Sequence, residues 1–212
     1  MADPKQLYYE KRAAVLIKNL QSRHFDAYYC SDKEAALQKA LELIPEGASV
    51  GWGGAMSAQQ IGLMDAVKNG NFTAIDRDLA ENAQQRMELE KQAHFADVFL
   101  TGANAISVDG EMVNIDGYGN RVSAIICGPK NILVIAGMNK VVDTLEDAVS
   151  RARTVAAPAN QQRFLRQTPC TVTGVCADCK SPDCICNHIV ITRHCRPAGR
   201  IQFILVGEEL GL

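Results

Sequence analysis

Six of the eight cysteines lie between residues 170 and 195, near the end of a 212-residue chain. Cys176 and Cys179 are separated by two residues, a spacing at which one tight turn presents two thiolates to the same metal ion. The pair Cys184 and Cys186 is less usual, because alternate residues of an extended chain point in opposite directions. We therefore expect Cys176 and Cys179 to bind metal with two of the remaining four, which are Cys170, Cys184, Cys186 and Cys195.

Four thiolates suit a zinc ion and a [4Fe–4S] cluster almost equally, since both accept sulfur ligands. The alternative is a set of free thiols that pack a small lobe without metal. Disulfides are not expected, because a chain of this size without an export signal has little use for them. Cys30 and Cys127 lie alone in apolar surroundings and are interpreted as buried small hydrophobic residues.

Three glycine-rich turns follow strand-like segments and form a second candidate site. They are residues 51–57 (GWGGAMS), 101–110 (TGANAISVDG) and 136–140 (AGMNK). Ligands of open α/β sheets bind beyond the carboxyl ends of the strands, where backbone N–H groups of strand-to-helix turns attract anions. The alternatives are purely structural turns and a solvated lysine. The candidate ligand-binding residues in these turns are Gly53, Gly54, Ser57, Gly102, Asn104, Asn139 and Lys140.

The apolar pattern places these turns in an α/β fold. It predicts helices over 4–22, 33–44, 58–68, 81–95 and 143–157, and strands over 25–30, 48–54, 72–75, 96–107, 121–128, 131–137 and 200–210. Such alternation predicts a mostly parallel open sheet with helices on both faces, and the strands around 109–121 (DGEMVNIDGYGNR) add a local antiparallel hairpin. We expect a single domain over residues 1–212, with a cysteine-rich insertion at about 168–196.

Composition excludes several classes of partner. The chain is 47% hydrophobic and 22% charged with a formal net charge of −2, which gives no electrostatic reason to expect nucleic acid or an anionic membrane. The longest apolar stretch, residues 132–138, is far shorter than the roughly 20 residues that span a bilayer. The first twelve residues lack the apolar core of a secretory signal, so we expect a cytoplasmic location.

The segment ADVFLTGANAISVDGEMVNIDGYGNRVSAIICGPKNILVIAGMNKVV resembles the lactate-utilisation (LUD) domain family, as do PCTVTGVCADCKSPDCICN and the final ILVGEELGL. The family is placed in the NagB/RpiA/CoA-transferase-like superfamily, which implies an α/β sheet. It also implies a role in L-lactate oxidation beside iron–sulfur partner proteins. The resemblance makes the 109–121 hairpin a wall of the ligand site, adding Asp116, Asn120, Arg121 and Lys130 as candidates.

The segment is also similar to sugar-phosphate aldose–ketose isomerases, whose Gly-Ala-Asp becomes Gly102, Ala103 and Asn104 here. An amide cannot perform the acid–base work of that aspartate. No Glu-Asn-Gly stretch of the CoA-transferases occurs either. These departures favour binding over catalysis, although enzymatic activity stays open.

We expect a small anionic or carboxylate ligand, which Arg121 would grip through two parallel hydrogen bonds. An exposed charge at the start of a strand is the alternative interpretation of Arg121. The expected function is an anion-binding component of an iron–sulfur-dependent L-lactate oxidation system. The alternatives are a free-standing enzyme acting on a sugar phosphate or acyl derivative, and a regulatory binding module.

Overall fold

A computed structural model describes residues 3–164 and 166–212. Its largest element is a parallel sheet of six strands in the order β1-β10-β7-β4-β2-β3. These strands are β1 (Asp26–Cys30), β2 (Ser49–Gly53), β3 (Thr73–Ile75), β4 (Val98–Thr101), β7 (Asn131–Gly137) and β10 (Ile201–Val206). The parallel α/β sheet predicted from the sequence is confirmed.

Helices cover the two faces of this sheet, with one apolar cluster on each side. Phe203 packs on one side with Leu16 of the first helix, and Ile204 packs on the other with Ala36 of the second. None of the helices in the described residues is long and apolar enough to cross a membrane. The helices are α1 (Pro4–Ser22), α2 (Lys33–Leu43), α3 (Met56–Gln60), α4 (Leu63–Asn69), α5 (Ala83–Gln92), α6 (Asn120–Cys127), α7 (Leu145–Arg151), α8 (Ala157–Gln161) and α9 (Pro169–Thr173).

A second, smaller sheet carries the predicted hairpin and the end of the cysteine-rich segment. Its strands, in the order β8-β5-β6-β9, are β5 (Ala105–Ser107), β6 (Met112–Asp116), β8 (Val141–Val142) and β9 (His188–Thr192). Strand β6 pairs antiparallel with both β5 and β9. The cysteine-rich segment is therefore joined to the hairpin through the β6–β9 ladder.

Two predictions about local structure were wrong. Residues 121–128 form most of helix α6 and not a strand, because Val122 and Ile125 are three residues apart and face the core together. The predicted antiparallel hairpin is present around Gly110 and joins β5 to β6, so its second strand is 112–116 and not 121–128. Cys127, expected to be buried, is exposed at the end of α6, whereas Cys30 is buried as expected.

The π-helical turn Ala152–Ala156 joins α7 to α8. Such turns are rare and occur frequently at functional sites. This one lies directly after Arg151 and contains Arg153, two side chains that reach different candidate sites. The predicted helix over 143–157 is thus present, but its register changes within the π-helical turn.

Arg23 fastens the hairpin of the small sheet to the end of α1. Its guanidinium donates to the Asp109 carbonyl at 2.6 Å and to Glu111 Oε1 at 3.2 Å, and it pairs with the Asp109 carboxylate. Glu111 is only 8% exposed. Removing Arg23 would leave this buried carboxylate with Ser107 as its remaining side-chain partner.

We expect Arg23→Ala to lower the free energy of unfolding by about 2 kcal/mol, because a buried charge loses its partner. Urea denaturation followed by circular dichroism measures the change. Arg86→Ala is the matched control, since Arg86 is largely exposed and its pairs with Asp78 and Glu90 lie at the surface. Equal losses in the two variants would contradict a fastening role for Arg23.

Candidate functional site

The glycine-rich turns converge at one edge of the parallel sheet. Strands β2, β4 and β7 are neighbours, so the turns after their carboxyl ends meet. Lys140 Nζ donates to Ser57 Oγ at 3.3 Å. A Cβ at Gly102 would lie 3.3 Å from the Gly54 carbonyl and 3.9 Å from Lys140 Nζ. The loops at 53–57 and 136–140 therefore face each other, as expected of turns that form one candidate site.

Three cationic side chains surround this edge. Lys140 is 4% exposed, the Arg121 side chain is 11% exposed, and Arg151 is half-buried. Arg121 Nε lies 3.4 Å from Asp116 Oδ2. Among the described residues, no aspartate or glutamate side chain forms an ion pair with Lys140 or Arg151. The site therefore holds more buried positive than negative charge.

The pKa values of all three cations are lowered. Burial lowers the pKa of Lys140 to about 7, and the charges of Arg151 and Arg121 act in the same direction. Burial also lowers the pKa of Arg121, against the effect of Asp116, and the pKa of Arg151. Lys140 is consequently the group of this cluster that changes charge near neutral pH.

Arg121 is held mainly by groups of the protein itself. Its Nη2 donates to Asn104 Oδ1 at 3.1 Å and to the Ile115 carbonyl, while Nε pairs with Asp116. A Cβ at Gly54, where φ is +59°, would lie 2.7 Å from Arg121 Nη1, so this glycine makes room for the guanidinium. The expected two-bond grip on a ligand is wrong for this arrangement, because Nε and Nη2 are already engaged.

Asn104 connects the hairpin to the cations. Its Oδ1 accepts from the Ile115 amide at 2.8 Å as well as from Arg121, and its carbonyl accepts from Arg151 Nη1. Asp116 accepts from the Gly119 amide at 2.9 Å. Asn104 and Asp116 both lie in the site, where they position Arg121 and Arg151.

The chain after β10 lies over Lys140. The Leu210 amide donates to Asn139 Oδ1 at 3.1 Å, and the Gly211 amide donates to Gln60 Oε1 at 2.6 Å. Gly211 has φ +62°, and a Cβ there would lie 2.6 Å from Lys140 Nζ and 2.8 Å from Ser57 Oγ. Residues 207–212, which we call the tail, therefore cover Lys140. We call the cluster of Arg121, Lys140 and Arg151 the cationic site.

The remaining predicted residues divide between the site and elsewhere. Gly53 lies against Arg121, since a Cβ at Gly53 would be 3.5 Å from Arg121 Cβ. Asn139 holds the tail, and the half-buried Asn120 begins α6 beside Arg121. Lys130 does not belong to the site: it is exposed just before β7, whereas Lys140 follows the opposite end of that strand.

Sequence reasoning missed Arg151. Its only local signal is a basic residue on a predicted helix, which is usually solvated. The folding of α7 against the small sheet brings it to the Asn104 carbonyl, 47 positions away in sequence. The tail was also missed as part of the site, since a glycine within the closing GEELGL gives no indication of what it covers.

Five of the six clustered cysteines line one cavity of about 320 Å³. Cys176 and Cys179 are among them, and Cys184 and Cys186 reach the same cavity despite their alternate spacing. The five are Cys170, Cys176, Cys179, Cys184 and Cys186. Cys195 does not join them: it is buried, accepts from the Ile201 amide at 3.2 Å, and donates to the Pro197 carbonyl at 3.0 Å.

Polar groups complete the wall of this cavity. Gln161 is 1% exposed, and its Oε1 atom has no hydrogen-bond partner among the described residues. Thr168, 3% exposed, lies with its hydroxyl 3.2 Å from Cys170 Sγ. Burial and the neighbouring Cys184 thiol raise the pKa of Cys186 to about 12. Within residues 3–164 and 166–212, no group of three Cys, His, Asp or Glu side chains is close enough to hold one metal ion.

The lowered pKa of Lys140 predicts a pH-dependent stability. The unfolded chain binds the lysine proton up to its ordinary pKa, whereas the folded protein releases it near pH 7, so stability rises with pH between these values. From pH 7 to 9 we expect the free energy of unfolding to gain about 2 kcal/mol from this group.

The difference between wild type and Lys140→Met, measured by urea denaturation at several pH values, isolates this contribution. Other titrating groups cancel in the comparison. A difference that stays constant from pH 7 to 9 would show that Lys140 keeps its ordinary pKa.

Comparisons with known proteins identify the family of this chain. The profile of the LUD domain matches residues 13–206. A crystal structure of a DUF162 family protein from Deinococcus radiodurans aligns over 93% of this chain and 97% of its own, with a TM-score of 0.53 and 11% identity, a likeness of fold alone. Ribose 5-phosphate isomerase A from Methanocaldococcus jannaschii aligns over 53% of this chain and 55% of its own, with a TM-score of 0.34 and 17% identity. No curated protein matches the sequence significantly. Since the LUD profile covers most of its length, the chain belongs to the LUD domain family.

Proposed function

We propose that this protein binds a small carboxylate of the lactate and pyruvate class at the cationic site. In this proposal it serves as the anion-binding component of an iron–sulfur-dependent L-lactate oxidation system. The observation that carries the proposal is the cluster of Arg121, Lys140 and Arg151 with Asp116 as its ion-paired carboxylate. The family resemblance supplies the pathway, with iron–sulfur partner proteins as electron acceptors.

Charge balance supports an anionic ligand. Counting side chains, three cations and one carboxylate give a formal charge of +2 (3 − 1) when Lys140 is protonated, and Arg151 Nη1 also donates to the Leu212 carbonyl oxygen at 3.5 Å. Buried charges are costly unless paired, and a lowered lysine pKa is one response to such a site. A bound carboxylate would offset the excess and keep Lys140 protonated.

The surroundings of Lys140 favour a small ligand. The amine can donate charge-assisted hydrogen bonds to a carboxylate. Ser57, which already accepts from Lys140, can donate or accept at the 2-hydroxyl or 2-oxo group of such a molecule. Because Gly211 approaches both residues closely, there is room for only a small molecule between them and the tail.

Lys140 also supports a second candidate, a free-standing enzyme acting on a carbonyl or acyl substrate. A lysine with a pKa near 7 is partly neutral at physiological pH, and a neutral amine can act as a base or nucleophile. Binding remains the better-supported function, because the nearby Asn104 cannot transfer protons as the isomerase aspartate does.

We expect Lys140→Met to weaken binding of L-lactate or pyruvate about tenfold or more, the cost of losing one charge-assisted hydrogen bond. Isothermal titration calorimetry on the full chain at pH 6.5 (roughly half a unit below the Lys140 pKa) measures this. Lys130→Met removes the same charge outside the site and should leave the affinity unchanged. Wild-type protein that binds neither acid, or equal affinities for wild type and Lys140→Met, would refute the proposal.

The tail must move for a ligand to reach Lys140. Gly211→Ala introduces a Cβ that collides with Lys140 Nζ and Ser57 Oγ, and Gly211 has a positive φ that alanine disfavours. The substitution should therefore weaken the packing of the tail over Lys140. We expect faster association of the carboxylate in stopped-flow measurements. Gly174→Ala, at a positive φ where nothing lies within 4 Å of the added Cβ, is the control. Equal association rates for Gly211→Ala and wild type would argue that the tail does not limit access to Lys140.

A further inference from the structure

The cysteine-lined cavity lies outside the cationic site and has no part in carboxylate binding. We propose that it holds a [4Fe–4S] cluster bound by four of its five cysteines, Cys170, Cys176, Cys179, Cys184 and Cys186. This inference goes beyond the proposed function and does not depend on it. It rests on the placement of the thiols, the chemistry of the cavity wall and the composition of the surrounding segment.

Among the described residues, the thiols are not placed to share a single ion. Zinc binds four thiolates at about 2.3 Å in a tetrahedron, which brings the sulfurs to within about 3.8 Å of one another and leaves no space between them. Here the thiols border about 320 Å³, and no three candidate ligands of the described residues are close enough to share an ion. An iron–sulfide core lies between its thiolates and so can bind cysteines that are not close enough to share one ion.

The wall contains a buried polar group that lacks a partner. Gln161 Oε1 forms no hydrogen bond with the described residues, Gln161 borders the cavity, and a buried unpaired amide oxygen costs about 1–3 kcal/mol. Its Nε2 donates to the Asp183 carbonyl at 3.4 Å, so only one side of the amide is held by the protein. The wall is thus polar and incomplete as it stands.

Other contacts suit metal-bound sulfur. The Cys186 amide donates to Cys184 Sγ at 3.3 Å, and hydrogen bonds of this kind tune the potentials of iron–sulfur clusters. Arg153 and its ion-pair partner Asp178 both border the cavity. Ile185 and Ile189 supply apolar lining.

The segment that carries the cysteines has almost no core of its own. Among residues 166–187, Thr168 is the only one that is fully buried. Val172 and Val175 are 85% and 66% exposed. Segments that bury so little apolar surface are ordered by metal in many small metalloproteins, where the binding energy contributes to folding. A cluster would hold this segment together in place of the buried apolar side chains that it lacks.

The test uses the full chain, purified anaerobically and reconstituted with ferrous iron and sulfide. We expect about four iron and four acid-labile sulfide atoms per chain, with broad visible absorption that dithionite bleaches. Replacing each lining cysteine singly by alanine should abolish the cluster in four variants and retain it in the fifth. Cys127→Ala, an exposed cysteine outside the cavity, is the matched control and should retain it.

Zinc at about one equivalent without sulfide, or reconstituted wild-type protein without bound iron, would overturn the proposal. So would retention of the cluster in all five cysteine variants. Circular dichroism shows whether each variant is folded. The iron and sulfide contents of the wild-type protein test the proposal even if a variant does not fold. Lys140→Met should keep the full cluster, which separates failure of this proposal from failure of the carboxylate proposal.

Discussion

The burial of Lys140 near the positive charges of Arg121 and Arg151 is the constraint on which the site architecture depends. An ammonium group withdrawn from water and repelled by Arg121 and Arg151 is unfavourable, and its lowered pKa expresses that cost. The protein holds the three cations together through neutral acceptors and one carboxylate. Ser57 accepts from Lys140, the Ile115 carbonyl and Asp116 accept from Arg121, and Asn104 accepts from both Arg121 and Arg151. The glycines of the turns then matter for a steric reason, since Gly54 and Gly211 lie where any side chain would strike Arg121 or Lys140.

Strand β6 connects this site to the cysteine-lined cavity. The Ile115 carbonyl accepts from Arg121, while the Ile115 side chain packs in the small apolar cluster against which Cys186 lies. The π-helical turn makes a second connection, because Arg151 before it reaches Asn104 and Arg153 within it borders the cavity. If both proposals hold, the carboxylate and the redox centre would both be held by residues in contact with β6. That arrangement suits a protein that passes electrons to iron–sulfur partners.

The sequence was a good guide to the elements and to the loops that meet, because both follow from local rules. Asp32 caps α2 as its position before an apolar helix suggests, and the turns after β2 and β7 meet because parallel strands share their carboxyl edge. It was a poor guide where tertiary contacts decide. Residues 121–128 have enough β-branched and apolar residues to resemble a strand, yet packing selects a helix. Lys130 and Lys140 look alike in sequence, and only the direction of β7 separates them. Arg151 and the tail reach the site through long-range contacts that no local pattern encodes.

The excess positive charge of the buried cations predicts that ligand binding is accompanied by a measurable uptake of protons. A carboxylate that enters the site should restore Lys140 to its charged form, so binding at pH 8 must take up a proton from solution. Calorimetric titration of the protein with L-lactate in buffers of different ionisation enthalpy yields the number of protons taken up. We expect a value close to one for wild type and close to zero for Lys140→Arg, whose guanidinium stays charged throughout. Binding of lactate to the wild-type protein at pH 8 without proton uptake would contradict the charge-deficient site on which the proposed function rests.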